Sequence, residues 1–157
     1  MEFTTVYDAP AARFGVAGPL LVAVYKGATD LAVLEQLDRA QTELITKRGT
    51  ISTLTIIGEL GQMLKIDDGV RQRSVELGKK YEAHVRGSAI VVETRGVAAV
   101  MVRSFLTGFF LLSRSEMPMK SFKRIADGLG WLQQLPGQDA PMRELRAPDV
   151  EAWVHRP

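Results

Sequence analysis

The chain has 157 residues, of which 46% are hydrophobic and 24% are charged, a composition typical of one globular domain and not of a disordered segment. It contains no cysteine and two histidines, His84 and His155, which argues against disulfides, thiolate metal sites, cysteine nucleophiles and histidine-based metal centres. The formal net charge is +2 and basic residues are interleaved with acidic ones, so we expect no nucleic-acid-binding face.

Targeting and membrane signals are weak in this sequence. The first eight residues carry neither the basic nor the apolar region of a secretory signal, so the sequence predicts a cytoplasmic protein. The longest apolar stretch, residues 97–112, would span about 24 Å as a helix, less than the roughly 30 Å of a bilayer's hydrocarbon core. Because Arg103 also lies in its middle, we expect no transmembrane segment.

Short apolar and β-branched runs predict the strands. Residues 3–8 and 14–25 are expected to pair as an opening hairpin across a turn near Pro10. Three further strands are predicted at residues 50–57, 89–92 and 118–122.

Apolar residues at helical spacing predict the helices between these strands. The clearest helix follows an N-cap at Thr29 or Asp30 and ends at Gly49. A second begins near the acidic residues 67–68 and is expected to run to Gly87. The other predicted helices are residues 97–112 and a last one marked by Ile125, Leu129, Leu132 and Leu135.

This order of elements defines the expected fold. After the opening hairpin, strands and helices alternate, which predicts an α/β domain with a mainly parallel sheet of about five strands and about four helices. We assign this domain to residues 1–135. Residues 136–157 hold four prolines and many charges, and we interpret them as a Pro-rich C-terminal tail, docked or flexible, with one short helix at residues 149–154.

A closing motif suggests a family. Residues 117–132 read MPMKSFKRIADGLGWL, in which a short strand ends at Phe122 and the following helix carries the pair Trp131 and Leu132. Together with the order of elements over residues 3–135, this motif resembles the SpoIIAA-like proteins, a bacterial group with the STAS fold. The resemblance implies a non-enzymatic regulatory switch that binds a partner, and some SpoIIAA-like proteins are suspected of binding apolar ligands.

One feature of STAS regulators is missing from this sequence. Classical anti-sigma-factor antagonists carry a phosphorylatable Ser or Thr at the start of the helix after the central strand. Here residues 56–68 read IIGELGQMLKIDD and contain no hydroxyl side chain. The resemblance therefore does not extend to signalling by phosphorylation.

Candidate chemical sites are few. The sequence contains no Gly-rich phosphate-binding motif, and we predict no cofactor, no metal and no catalytic residue. Glu59, Asp67 and Glu93 follow predicted strands, where ligands of open α/β sheets often bind, so an enzyme that uses these carboxylates is a minor alternative. No histidine or second base accompanies them in the pattern, and Asp67 and Asp68 are expected to cap a helix.

The predicted third helix, residues 97–112, is the feature that a plain α/β fold explains least. It is apolar around nearly its whole circumference, with Arg103, Ser104 and Thr107 as a narrow polar strip. Because one sheet covers one face of a helix, a second body should cover the rest.

Four covers for this helix are considered: a second copy of the chain, another protein, the C-terminal tail with Trp153 and Val154 as a lid, or a lipid-like ligand. We predict a protein interaction module that works as a homodimer or in a regulatory complex, and a carrier or sensor of a small apolar ligand is the alternative. The predicted interaction surface consists of Val97, Met101, Phe105, Phe109, Phe110 and Leu112.

Overall fold

A computed structural model describes residues 2–58, 68–93, 96, 100, 104 and 116–157. Its six strands are Thr4–Asp8 (β1), Ala12–Ala17 (β2), Leu20–Tyr25 (β3), Ile51–Ile57 (β4), Val85–Val92 (β5) and Met119–Phe122 (β6). The helices within the described ranges are Leu31–Arg48 (α1), Asp68–Tyr81 (α2), Ile125–Gln134 (α3), Ala140–Arg143 (α4) and Ala147–Val154 (α5), with a 3₁₀ turn at Glu82–His84.

The sheet confirms the α/β class and corrects the predicted strand count. The strands lie side by side in chain order, and the pairs β3–β4, β4–β5 and β5–β6 are parallel, whereas β1–β2 and β2–β3 are antiparallel. The expected hairpin is thus a three-stranded meander. Gly18 has φ +55° and turns the chain, so residues 14–25 contribute to two strands and not to the single strand that the sequence predicts.

The helices also differ from the expected number. α1 begins and ends as predicted: the Asp30 side chain accepts a hydrogen bond from the Val33 backbone N–H at 2.9 Å, and Gly49 ends the helix at φ +81°. The short helix predicted at residues 149–154 is present as α5, and α4 is a further helix in residues 136–157 that was not predicted. The predicted helix over residues 97–112 lies almost entirely outside the described residues.

The predicted extension of α2 to Gly87 is wrong. The helix ends at Tyr81, and β5 begins at Val85, so Gly87 lies inside a strand. A Cβ atom at Gly87 would lie 2.3 Å from Cδ1 of Leu135, just after α3. The absence of a side chain at Gly87 therefore lets the end of α3 approach the sheet closely.

Each face of the sheet carries its own apolar core. On one face, α1 and α2 bury Phe14, Leu21 and Leu77 among their neighbours. On the other face, α3 and the two short C-terminal helices bury Leu54 and Leu132. The chain therefore forms three layers, with helices on both sides of the sheet.

The C-terminal residues are part of the second core. Met142, Val150, Trp153 and Val154 are buried, and all four belong to the cluster that includes α3 and the sheet. Among the described residues, no helix is long and apolar enough to cross a membrane.

Candidate functional site

The predicted interaction surface falls outside the part of the chain that the structure describes. This holds for all six of its residues, Val97, Met101, Phe105, Phe109, Phe110 and Leu112. Two residues of the same segment are described, Val100 and Ser104, and both are helical and exposed. Val100 is 56% exposed, more than the other exposed large hydrophobic side chains of the described residues. At this point the segment presents apolar surface to solvent.

Of the carboxylates considered for an enzymatic site, Glu59 and Asp67 are not described, whereas Glu93 follows β5. The Nε2 atom of His155 lies 3.0 Å from a Glu93 carboxylate oxygen. The sequence pattern did not indicate this pairing because 62 positions separate the two residues. Both side chains are accessible to solvent, so we interpret the pair as a weak tie between the C-terminus and the sheet edge. Within the described ranges, no three His, Asp or Glu side chains are grouped to hold a metal ion.

A cavity of about 210 Å³ lies between α1, α2 and the sheet face of β3, β4 and β5. Its walls are mostly apolar, and none of its described lining residues is charged. Burial raises the pKa of Tyr25, another lining residue, so this phenol is neutral at physiological pH. The cavity is therefore an uncharged site.

The floor of the cavity carries hydroxyl groups from two neighbouring strands. Thr53 and Ser88 are directly opposed in the β4–β5 register, and the Thr53 hydroxyl donates to the Ser88 oxygen at 2.8 Å. Thr55 lines the same floor, whereas Leu54 and Ile56 belong to the core on the other face. The alternation of β4 thus places polar atoms on the side where α1 and α2 pack.

The roof of the cavity includes a glutamine whose side-chain oxygen is buried. Gln41, on α1, lines the cavity, and its Oε1 atom is buried with no hydrogen-bond partner among the described residues. A buried acceptor left unpaired destabilises a protein by about 1–3 kcal/mol. This oxygen is buried within the protein and does not face the open space of the cavity.

A polar network fixes the two helices that form the roof and one wall. The Asp38 carboxylate on α1 accepts hydrogen bonds from the Tyr81 hydroxyl and from Lys80 Nζ at 2.8 Å, and Arg73 Nη2 lies 3.6 Å from it. Burial alone would raise the pKa of Asp38, but the hydrogen bonds from Lys80 and Tyr81 and the two cationic charges outweigh it, so this pKa lies below its ordinary value of 3.8. The network therefore ties α1 to α2.

This network predicts a pH-dependent contribution to stability. Because the folded-state pKa of Asp38 is lowered, its contribution is present above the ordinary carboxyl pKa and is lost as the pH falls through the folded-state value. Asp38→Asn should therefore be less stable than the wild type near neutral pH, and this difference should shrink as the pH falls below the ordinary carboxyl pKa of 3.8. Urea midpoints at each pH measure it.

The matched control is Asp68→Asn, because the Asp68 side chain at the start of α2 is fully exposed. We expect this variant to follow the wild-type pH profile. If Asp38→Asn also followed it, the network would not stabilise the pair of helices.

No protein-family model, no curated protein and no solved structure matches this chain. The resemblance to SpoIIAA-like proteins consequently stays a prediction that depends on residues 117–132 and on the order of elements. Within the motif, Phe122 ends β6 and its ring packs against Trp131 of α3, with ring centroids 5.6 Å apart. The pairing gives these two residues a packing role whatever family the chain belongs to.

Proposed function

We propose that the chain is a non-enzymatic, cytoplasmic regulatory module of STAS-like fold that binds another protein chain through residues 97–112. The observation that carries this proposal is the exposure of Val100 within a segment whose sequence is apolar on nearly all sides. A contiguous apolar patch on a protein surface typically marks an interaction site. A second copy of the same chain is the first partner to test, because two-fold dimers are the commonest oligomers.

The position of the C-terminal tail supports the view that residues 97–112 bind a partner other than this tail. The Trp153 ring stacks on Phe3 at a centroid distance of 5.2 Å, and it lies so close to Gly15 that a Cβ there would be 2.3 Å away. Its Nε1 atom donates to the Thr5 hydroxyl at 3.1 Å. Since these contacts bury the apolar side of α5 on β1 and β2, the tail already has a partner within the fold.

The energy at stake is large on the scale of one domain. If residues 97–112 formed a helix that left roughly 400 Å² of apolar surface in water, the protein would forgo on the order of 10 kcal/mol at about 25 cal/mol per Å². That amount is comparable to the whole stability of a typical domain. Burial of this surface in an interface is therefore strongly favoured.

A charged residue in the segment should abolish association. We expect Phe109→Asp to sediment as a single folded chain, whereas the wild type sediments at twice the chain mass or in a defined complex in an extract of its source cells. The added carboxylate would have to be buried unpaired in the interface. Sedimentation velocity measures the mass, and circular dichroism checks the fold.

Val6→Asp is the control, because Val6 is exposed on β1 and lies outside the segment. It should leave the mass of the assembly unchanged. A wild type that sediments as one chain in both conditions, or a Phe109→Asp chain that keeps the wild-type mass, would contradict the proposal.

A second candidate function, a carrier or sensor of a small apolar molecule, is favoured by the cavity beneath α1 and α2. Its mostly apolar walls and a described lining without charged residues are features of a site for a small apolar ligand.

A further inference from the structure

We infer that this chain's own residues 97–112 cover the sheet beside α2, on the face of β5 and β6 that α1 and α2 leave partly exposed. The proposed partner chain would then bind on the α2 side of the domain and not on the side of α3. The placement of the partner rests on the proposed function, whereas the packing of the segment does not, so the two can fail separately.

The topology of the sheet determines on which face the connection from β5 to β6 runs. These strands are neighbours and parallel, so residues 93–118 must return from the end of one strand to the start of the next across one face. Such connections are almost always right-handed. Because the strands lie in chain order, the connections that contain α1 and α2 step across the sheet in the same direction as this one. A connection of the same hand therefore lies on the same face as α1 and α2, next to α2.

The described residues just before β6 support this placement. The backbone N–H of Glu116 donates to the carboxylate of Glu82, which directly follows α2. Met117 packs against the core cluster that α1 and α2 form with the sheet. The chain therefore reaches β6 from the side of α2.

This face of β5 and β6 offers apolar surface to the segment. Its half-buried residues are Ser88 and Ile90 on β5 and, directly opposite them, Met119 and Ser121 on β6. In contrast, Ala89 and Val91, which belong to the core under α3, are fully buried. An apolar segment on the α2 side would remove Ile90 and Met119 from water as well.

The segment has the length and the exposed positions that this packing requires. If helical throughout, residues 97–112 would span about 24 Å, which matches the roughly 26 Å of the eight-residue strand β5. Val100 and Ser104 are both helical and exposed, and residues four positions apart share one side of a helix. The side that carries them therefore faces away from the sheet and is accessible to a partner.

Crosslinks between cysteines test the packing, because the natural sequence has no cysteine. Gly78 on α2 and Gly130 on α3 are matched positions, since a Cβ atom at either would have no neighbour within 4 Å. Each is changed to cysteine and combined in turn with Phe105→Cys, Leu106→Cys and Thr107→Cys, three consecutive positions that sample all sides of a helix. With a short bifunctional thiol reagent, we expect at least one pair with Gly78→Cys to crosslink within one chain, at about ten times the yield of any pair with Gly130→Cys.

Two results would overturn the packing. The first is that pairs with Gly78→Cys crosslink no better than pairs with Gly130→Cys. The second is a crosslinked product only at twice the chain mass, which would show that a second copy covers this face. A wild type that sediments as one chain would contradict the proposed interface and leave the crosslinks within one chain unchanged, so the two failures are distinguishable.

A bulky group on α2 tests the placement of the partner. Lys79→Cys on α2 and Ala126→Cys on α3 each place one thiol at an exposed helical position, on opposite sides of the sheet. After each is coupled to a polyethylene glycol maleimide, we expect the Lys79→Cys chain to sediment as a single modified chain and the Ala126→Cys chain to remain in the assembly. A modified Lys79→Cys chain that still assembles, or a modified Ala126→Cys chain that does not, would overturn this placement.

Discussion

Trp153→Ala should lower the free energy of unfolding by about 4 kcal/mol, because it removes a large buried ring from a site that cannot collapse around the gap. The ring is buried between Phe3 and the backbone at Gly15, and its N–H group is bonded to Thr5. Both ends of the chain meet here, so the loss should be visible in the urea midpoint of the whole cooperative transition.

Trp131→Ala is the matched control for this prediction. Trp131 is only partly buried and packs at the edge of the same core, tilted against Phe122. We expect a loss of about 1–2 kcal/mol, in proportion to its smaller buried area. A Trp153→Ala chain within about 1 kcal/mol of the wild type would show that residues 136–157 contribute little to the fold.

Arg13→Met should lower the free energy of unfolding by about 3 kcal/mol. The buried Arg13 guanidinium donates to the carbonyl oxygens of Trp153 at 2.9 Å, Val154 at 2.7 Å and Arg156 at 3.1 Å, and it lies 4.8 Å from the centre of the Trp153 ring. These carbonyls have no partners within α5 and lie at the negative end of its dipole. Methionine retains the length of the side chain and removes the donors.

Arg13→Met should affect α5 more than the rest of the fold. Amide hydrogen exchange should accelerate in α5 more than in α1, because the carbonyl groups at the end of α5 lose the hydrogen bonds from Arg13. Arg124→Met is the control, because Arg124 is 82% exposed and pairs only with Asp127 in the described residues. It should change stability by less than about 0.5 kcal/mol. If Arg13→Met changed the free energy of unfolding as little as Arg124→Met, the hydrogen bonds from Arg13 to the C-terminal carbonyls would not stabilise the fold.

Patterns within a few neighbouring residues were enough to predict α1 and β4. The Asp30 cap, the Gly49 stop and the β-branched run of β4 all act within a few residues of their own position, and the structure has all three. The misplaced boundaries involve glycines. The sequence predicts one strand through Gly18 and a helix that ends at Gly87. In the structure, Gly18 forms a turn at φ +55°, and Gly87 lies in a strand close to Leu135.

The candidate sites depended on contacts that no local pattern contains. Arg13 and the carbonyl of Trp153 are 140 positions apart. Neither the Arg13 hydrogen bonds to the C-terminal carbonyls nor the packing of α5 on the sheet could therefore be derived from periodicity. Gln41 of α1 and Thr53 and Ser88 of two strands line the same cavity. Nothing in the sequence around each of these polar residues indicates that they lie close together. Their joint chemistry appears only once the crossovers stack α1 and α2 on the sheet.

The proposal that residues 97–112 bind another chain is tested most directly by a cysteine at Val100. The natural sequence has no cysteine, so Val100→Cys carries a photo-crosslinking group at one known position. Leu31→Cys and Val6→Cys are controls, since these side chains are 51% and 42% exposed and lie outside the segment.

We predict one discrete adduct from Val100→Cys, at twice the chain mass in purified protein or with one defined partner in an extract of the source cells. Adding Phe109→Asp should abolish it. Adduct yields from Val100→Cys that are no higher than those from Leu31→Cys and Val6→Cys in both settings would contradict the account.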